Sequence, residues 1–387
     1  MNSYLVQHEL YCGIDLHAKR MYTCVLKQDG EIVFHQNLKT QPEAFLTAIE
    51  PFRDRDLVVG IESTYNWYWL ADVCEEAKLP FVLGHAYAMK SIHGGKNKND
   101  KKDSLKIAML LRGGNFPIAY AYPKAMRAQR DLTRRRCYFV RQRAELQTHV
   151  RNTATQYNVA TPSGQLRYLC NQEGLADRFP NRGAKLTITA DLNMINALTQ
   201  QITAVEDELR QLARIDDAGV FYRLKSVPGI GDILAMVILY EVGDIRRFAS
   251  AGDFLSYCRL VPGSHESAGK KYGSPGRKQG NPHLKWAFSE AISLMIRDGD
   301  FVKEFFKRWE KRYGRGKALS ILAARLGRAV FLMLKRGDTF DEAKFFHLSQ
   351  EEAAARLSDS PKRKRRKRPT KQEPTSQPNP QEEASTC

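Results

Sequence analysis

The chain has no apolar run of membrane-spanning length, no paired-cysteine motif and too few acidic residues to balance its bases. The first absence argues against a spanning helix: Ile233–Tyr240 is among the longest apolar runs, far short of the ~18 residues a span needs. The amino terminus, MNSYLVQHELYCGID, lacks the charged start and long apolar stretch of a secretory signal. The seven cysteines (Cys12, Cys24, Cys74, Cys137, Cys170, Cys258 and Cys387) are scattered and form no CxxC. That pattern argues against a disulfide framework or a zinc site and for a reduced, cytoplasmic protein. The scarcity of acid is the most informative: 43 Asp and Glu stand against 61 Lys and Arg, a net +18 over 387 residues. Such an excess needs a polyanionic partner or a reason to tolerate self-repulsion. Residues 360–387 hold eight bases (Lys362 to Arg368 and Lys371) against Glu373, Glu382 and Glu383, a net +5, so +13 remains for the rest of the chain.

What is present organises into several units. At roughly 150 residues per domain the length allows two or three, and 42% hydrophobic residues are enough to build cores. The runs YCGIDLHA, YTCVLKQ, EIVFHQNL, DLVVGIEST and FVLGHA read as strands, with Asp29-Gly30 as a hairpin turn. Helices fit Pro42 to Phe52, Trp67–Ala77 and Leu105–Leu111, so residues 8–123 are expected to form an α/β domain, a mixed sheet covered by helices. Lys124 to Arg151 reads as one helix with nine bases (Lys124, Arg127, Arg130, Arg134, Arg135, Arg136, Arg141, Arg143 and Arg151) against Asp131 and Glu145. A solvated face explains part of that charge and a phosphate-facing one explains it better. Thr153–Ala184 reads as a connector. Leu192, Ile195, Leu198, Ile202, Val205, Leu209 and Leu212 then form a heptad-like seam, open to reading as a short coiled coil or an amphipathic core helix. Residues 124–215 thus form a helical middle segment and 221–345 a mainly α unit, with helices at Leu284–Arg297, Phe301–Tyr313 and Ala318–Lys335. The tail, 358–387, has the composition of a disordered segment.

Four acids stand out. Asp15 lies in an apolar strand, where alternation places Cys12, Ile14 and Leu16 on one face and Gly13, Asp15 and His17 on the other. Glu62 ends the apolar strand VVGIE. Asp100 and Asp103, three apart, share the first turn of a helix flanked by Lys96, Lys98, Lys101, Lys102 and Lys106. Each has a bland alternative: a strand end for Asp15 and Glu62, a capping box for Asp100 and Asp103. Together they match the hard oxygen ligands that Mg²⁺ takes in phosphodiester chemistry. Further along, the Pro228-Gly229-Ile230-Gly231 turn resembles a helix–hairpin–helix, whose backbone amides meet DNA phosphates; a plain helix–helix turn is the alternative. The loop from Gly263 surrounds Ser264, Ser267 and Ser274 with Lys270, Lys271, Arg277 and Lys278, as a serine attacking a phosphodiester would require; since serine is common in loops, ordinary loop residues are the alternative. His265 and His283 are open to several readings.

GIDLHAK, GIEST, KNDKKD, SVPGIG and HESAGK, in this order, resemble the DEDD transposases of bacterial insertion sequences, the IS110 family of bridge-RNA-guided recombinases. The resemblance covers roughly residues 10–340. It implies a RuvC-like domain of the RNase H fold, with Asp15, Glu62, Asp100 and Asp103 as a Mg²⁺-binding tetrad. It also implies a coiled-coil segment used in oligomerisation, as a dimer or tetramer, and a carboxy-terminal transposase domain. In that domain the nucleophile matches Ser267, which would form a transient phosphoserine linkage with DNA. A structured guide RNA from the element would pair with target and donor DNA, and the protein would work in the bacterial cytoplasm, at the nucleoid when bound to DNA. Nucleic-acid contacts are expected at Gly229, Gly231, Lys270, Lys271, Arg277, Arg134 and Arg135. The basic run Lys362–Arg368 is not part of the shared pattern. The rival readings are a RuvC-like endonuclease that uses water and a non-catalytic nucleic-acid-binding protein.

Overall fold

The β-rich runs of the first hundred residues assemble as one sheet. Its strands are β2 (Leu10–Leu16), β3 (Arg20–Lys27), β4 (Ile32–Lys39), β5 (Leu57–Glu62) and β6 (Phe81–Gly84), in the order β4-β3-β2-β5-β6. β2, β3 and β4 pair antiparallel, while β5 and β6 run parallel to β2. A separate short pair joins β1 (Ser3–Tyr4) to β7 (Phe116–Pro117). The hairpin between β3 and β4 turns at Gly30, whose φ of 98° suits glycine. The computed structural model describes residues 3–92, 99–263, 266–267, 269–271 and 279–346.

Alternation in β2 and β5 makes the sheet two-faced. Leu10, Cys12, Ile14, Leu57, Val59 and Ile61 pack against Phe45 and Ile49 of α1 (Pro42–Ile49) and Leu70 and Cys74 of α2 (Tyr68–Glu76). Tyr11, Cys24, Leu26 and Val58 pack against Ile107, Ala108 and Leu111 of α4 (Asp100–Arg112), which follows α3 (Ala86–Ile92). Each such aliphatic side chain, fully buried, contributes roughly 1.5–3 kcal/mol. A mixed sheet with helices on both faces is compatible with the RNase H-like arrangement expected from the motifs.

The helical part opens with α5 (Lys124–Gln156) and α6 (Arg182–Lys225), which pack antiparallel. Arg136 meets Glu206, Arg143 meets Thr199 and His149 meets Asp191, so position rises on one helix as it falls on the other. The heptad-like seam faces this partner within the chain: Leu192, Ile195, Ile202 and Leu209 are buried, and the first two pack with Val150 and Ala154. The same contacts carry α5 past Thr153, where the composition reads as connector; tertiary packing extends the helix beyond its local signal. α6 is kinked at Asp217. α7 (Asp232–Val242) is the long apolar run, buried on nearly every side by its neighbours. Among the described residues no helix is long and apolar enough to cross a membrane. α8 (Ala251–Tyr257), a two-residue hairpin of β8 (Glu266–Ser267) and β9 (Lys270–Lys271), α9 (Pro282–Asp298), α10 (Asp300–Tyr313) and α11 (Arg315–Arg336) follow. The chain up to Phe340 forms one unit; α12 (Glu342–Phe346) belongs to a second, 341–387. The segment 358–387 lies outside the described residues.

Candidate metal centre and serine loop

Two parallel strands and one helix position the acids, and they bring Asp15 and Asp100 together with His17. In the β2–β5 register Gly13 stands beside Gly60 and Ile14 beside Ile61. The next residue on each strand is Asp15 and Glu62, so both carboxylates leave neighbouring strand ends, and alternation puts them on the face covered by α4. The paired glycines make the groove in which α4 lies. A Cβ on Gly13 would stand 2.3 Å from the Ala108 nitrogen and 2.4 Å from the Ser104 carbonyl oxygen; one on Gly60 would stand 2.5 Å from Leu111 Cδ1. This close approach sets the first turn of α4 over the strand ends. Asn99 caps that turn, its side chain accepting from the Lys101 amide at 2.9 Å. The capping-box alternative for Asp100 therefore gives way: an Asn one position earlier fills the capping role. Asp103 pairs with Lys106 at 3.2 Å.

His17 ties the strand to the helix. Its Nε2 lies 3.3 Å from Asp15 Oδ2 and 3.7 Å from Asp100 Oδ1. One ligand atom from each of Asp15, His17 and Asp100 falls within a common 4.8 Å. Burial pushes the Asp15 carboxyl up; His17 opposes this, and the charges of Asp100 and Asp103 reinforce it. Negative charge is thus crowded where two carboxylates and an imidazole converge, and the hard oxygens of Asp15 and Asp100 fit a divalent cation. Glu62 stands at the end of β5, half-buried, opposite Gly84 of β6. His35, on β4, fixes the same helix turn from the other side: its Nε2 is 2.9 Å from the Lys101 carbonyl and 3.1 Å from the fully buried Ser104 hydroxyl. Sequence reasoning placed His17 on the correct face without a role and missed His35, whose contacts come from a helix more than sixty residues away.

Ser267 and Lys270 are register partners in the β8–β9 hairpin, as are Glu266 and Lys271. The side chains of Ser267 and Lys271 lie outside the described ones, and Ser264, His265, Ser274, Arg277 and Lys278 lie outside the described residues, as do Lys96 and Lys98. The far root of this loop is firmly held. Gly280 has φ 84° and no room for a Cβ, which would stand 2.5 Å from the Tyr257 carbonyl oxygen. Asn281 caps α9 and donates from Nδ2 to Glu241 Oε2 at 2.7 Å. Glu241, 0% exposed, also accepts from Arg130 at 3.1 Å and from Arg134 at 2.5 and 3.0 Å. Its backbone carbonyl accepts from the Tyr122 hydroxyl at 2.6 Å. Burial pushes the Glu241 carboxyl up, yet Arg134, Arg130 and Asn281 together hold it below the usual carboxylate range. His283 beside this network is lowered, by burial first.

The expected nucleic-acid contacts are dispersed. Arg134 is engaged with Glu241, whereas Arg135 is exposed, its guanidinium 5.5 Å from the Tyr138 ring centroid. Gly229, at φ 82°, packs against α9, where a Cβ would lie 2.3 Å from the Ala291 carbonyl oxygen; Gly231 faces open space. The turn joins α6 to α7, as the sequence leads one to expect.

Comparison with known proteins adds the following. Residues 12–159 match the model of the IS110-type DEDD transposases, and residues 222–307 match that of the Transposase IS116/IS110/IS902 family. The four acids fall in the first match; Ser267, Gly229 and Gly231 fall in the second. The chain is 24% identical to the insertion element IS116 44.8 kDa protein of Streptomyces clavuligerus, over 86% of this chain and 96% of that one. It is 24% identical to the transposase for insertion sequence element IS1111A of Coxiella burnetii, over 63% of this chain and 68% of that one. The Sinorhizobium fredii protein y4pF/y4sB is 26% identical over 45% of each chain, so this chain matches less than half of that relative's length.

Proposed function

Because the chain belongs to the IS110 family of DEDD transposases, we propose that it cuts and rejoins DNA as the transposase of an insertion sequence. Asp15, Glu62, Asp100 and Asp103 are the residues that would hold Mg²⁺, which when bound would neutralise charge on the phosphoryl oxygens. The observation that carries this reading is the convergence of Asp15 and Asp100 at His17, with the charges of Asp100 and Asp103 raising the Asp15 pKa. His17 steadies both carboxylates, as partners of metal ligands commonly do. Ser267 is the nucleophile: its Oγ bonds to phosphorus, one phosphodiester P–O bond breaks, and the leaving oxygen takes a proton. The family likeness and the HESAGK motif support this role, as does the register pairing of Ser267 with Lys270. An element-encoded RNA would select target and donor DNA, and the protein would act as a dimer or tetramer, since exchange of two duplex ends needs two sites. Gly231, Lys270, Lys271, Arg277 and Arg135 remain the proposed contacts to nucleic acid.

Covalent trapping tests the proposal. The protein is incubated with its element-junction DNA, the flanking non-coding RNA and Mg²⁺, then denatured and analysed for protein-bound DNA. The reading expects an adduct at Ser267, and a loss on the order of 10³-fold or more in adduct and strand transfer for Ser267→Ala. Cleavage without an adduct would replace the serine mechanism with water-dependent hydrolysis.

A further inference from the structure

Of the eight arginines of α5, four hold acids. Arg127 pairs with Asp72, Arg130 and Arg134 with Glu241, and Arg136 with Glu206. Farther along the helix, Arg143 and Arg151 meet Arg167 of the α5–α6 connector in a solvent-open cleft of about 350 Å³, with Gln147, Thr148 and Gln165 also in its wall. No acidic residue lines this cleft, and among the described residues none of the three arginines has a carboxylate partner. Their hydrogen bonds go to neutral groups instead. Arg143 donates to the Thr199 hydroxyl at 3.1 Å, Arg151 to the Gly164 carbonyl at 3.1 Å, and Arg167 to the Tyr168 hydroxyl at 2.7 Å. Arg167 Nε is buried with no hydrogen-bond partner among the described residues. Arg143 is itself buried, and after burial the charges of Arg167 and Arg136 lower its pKa, with Glu206 opposing.

Solvated arginines without a carboxylate are ordinary at a surface. A buried one facing two more is costly unless an anion shares the site. Guanidinium forks match phosphate oxygens bidentately, and the side-chain amides of Gln147 and Gln165 add neutral donors. The geometry points to this cleft as a seat for phosphate groups of a nucleic-acid backbone. Its open side suits a length of polymer more than an enclosed small anion. The inference rests on the proposed nucleic-acid-processing function and gives the connector, which no motif singled out, a share in holding the substrate.

Salt dependence tests it. Binding of the full chain to a DNA duplex and, separately, to an RNA hairpin is measured by fluorescence anisotropy between 50 and 200 mM salt, without divalent metal. Each phosphate contact contributes about 0.9 to the slope of log affinity against log salt on duplex DNA. Arg151→Ala with Arg167→Ala should lower the slope by about 1–2 on at least one polymer, and that polymer is then the occupant. Arg151→Lys with Arg167→Lys should recover most of the slope. Arg53→Ala with Arg246→Ala removes equal charge from arginines that already hold carboxylates, and should leave it unchanged. An unaltered slope on both polymers, in a double variant with wild-type melting, would overturn the cleft alone. Failure of the wild-type chain to bind either polymer would overturn the proposed function with it.

Discussion

Glu241 and Asp15 are both carboxylates set into apolar segments, and their surroundings treat them in opposite ways. Glu241 is ionised deep in the protein because two guanidinia and an amide surround it. Its folded pKa is depressed, so its contribution is fully present above the ordinary value near 4.5 and is lost as pH falls through the folded value. Glu241→Ala leaves Arg130 and Arg134 buried without their partner and should cost about 3–5 kcal/mol, measured by denaturant unfolding at neutral pH. The deficit should shrink as pH falls below the ordinary value and through the depressed folded one; a loss under 1 kcal/mol at neutral pH would show that the network is not structural. Asp15 has only His17 to offset its burial and the charges of Asp100 and Asp103. Its folded pKa is raised, so the folded state is favoured below the ordinary value and loses ground as pH rises through the folded one. VVGIE and ILYEV look alike as sequence, each a carboxylate closing an apolar run. One ends beside Asp15 and the other in a ring of arginines, and only the long-range partners distinguish them.

At the scale of elements, the site depends on how closely α4 approaches β2 and β5. Gly13 meets helix backbone, which cannot move aside without shifting the whole of α4, whereas Gly60 meets the end of the Leu111 side chain. Gly13→Ala should therefore destabilise by about 1–3 kcal/mol and also weaken metal binding, because the turn carrying Asp100 and Asp103 must lift. Gly60→Ala should cost less, since Leu111 can change rotamer. Thermal melting of both variants checks the order, and equal effects would contradict it. Strand alternation was enough to place Asp15 opposite Cys12, Ile14 and Leu16. The spacing of Asp100 and Asp103 was enough to place them on one helix turn. The groove was not legible, because a glycine inside a strand has several uses and only the facing helix selects among them. The end of α5 was misjudged for a similar reason: Val150 and Ala154 are held helical by Ile188, Leu192 and Ile195, far along the chain.

Across the whole molecule, the positive charge that first suggested nucleic acid is partly internal. Arg127, Arg130, Arg134 and Arg136 join α5 to the sheet domain, to α7 and to α6 through buried or half-buried acids. Composition alone could not separate these structural bases from those, such as Arg135, that face solvent. The same helix thus connects the α/β part, which holds the four acids, to the root of the loop that holds Ser267, through Glu241 and Asn281. Asp15 and its neighbours are proposed as a divalent-metal site. Melting of the wild-type chain and of Asp15→Asn across a Mg²⁺ titration tests it most directly. The wild-type midpoint should climb with Mg²⁺, because a ligand bound only by the folded state stabilises it. Asp15→Asn should melt at or above the wild type without metal, having lost an unfavourable charge, and should respond little to Mg²⁺. Parallel, equal rises in both proteins would place the ion elsewhere and contradict the account.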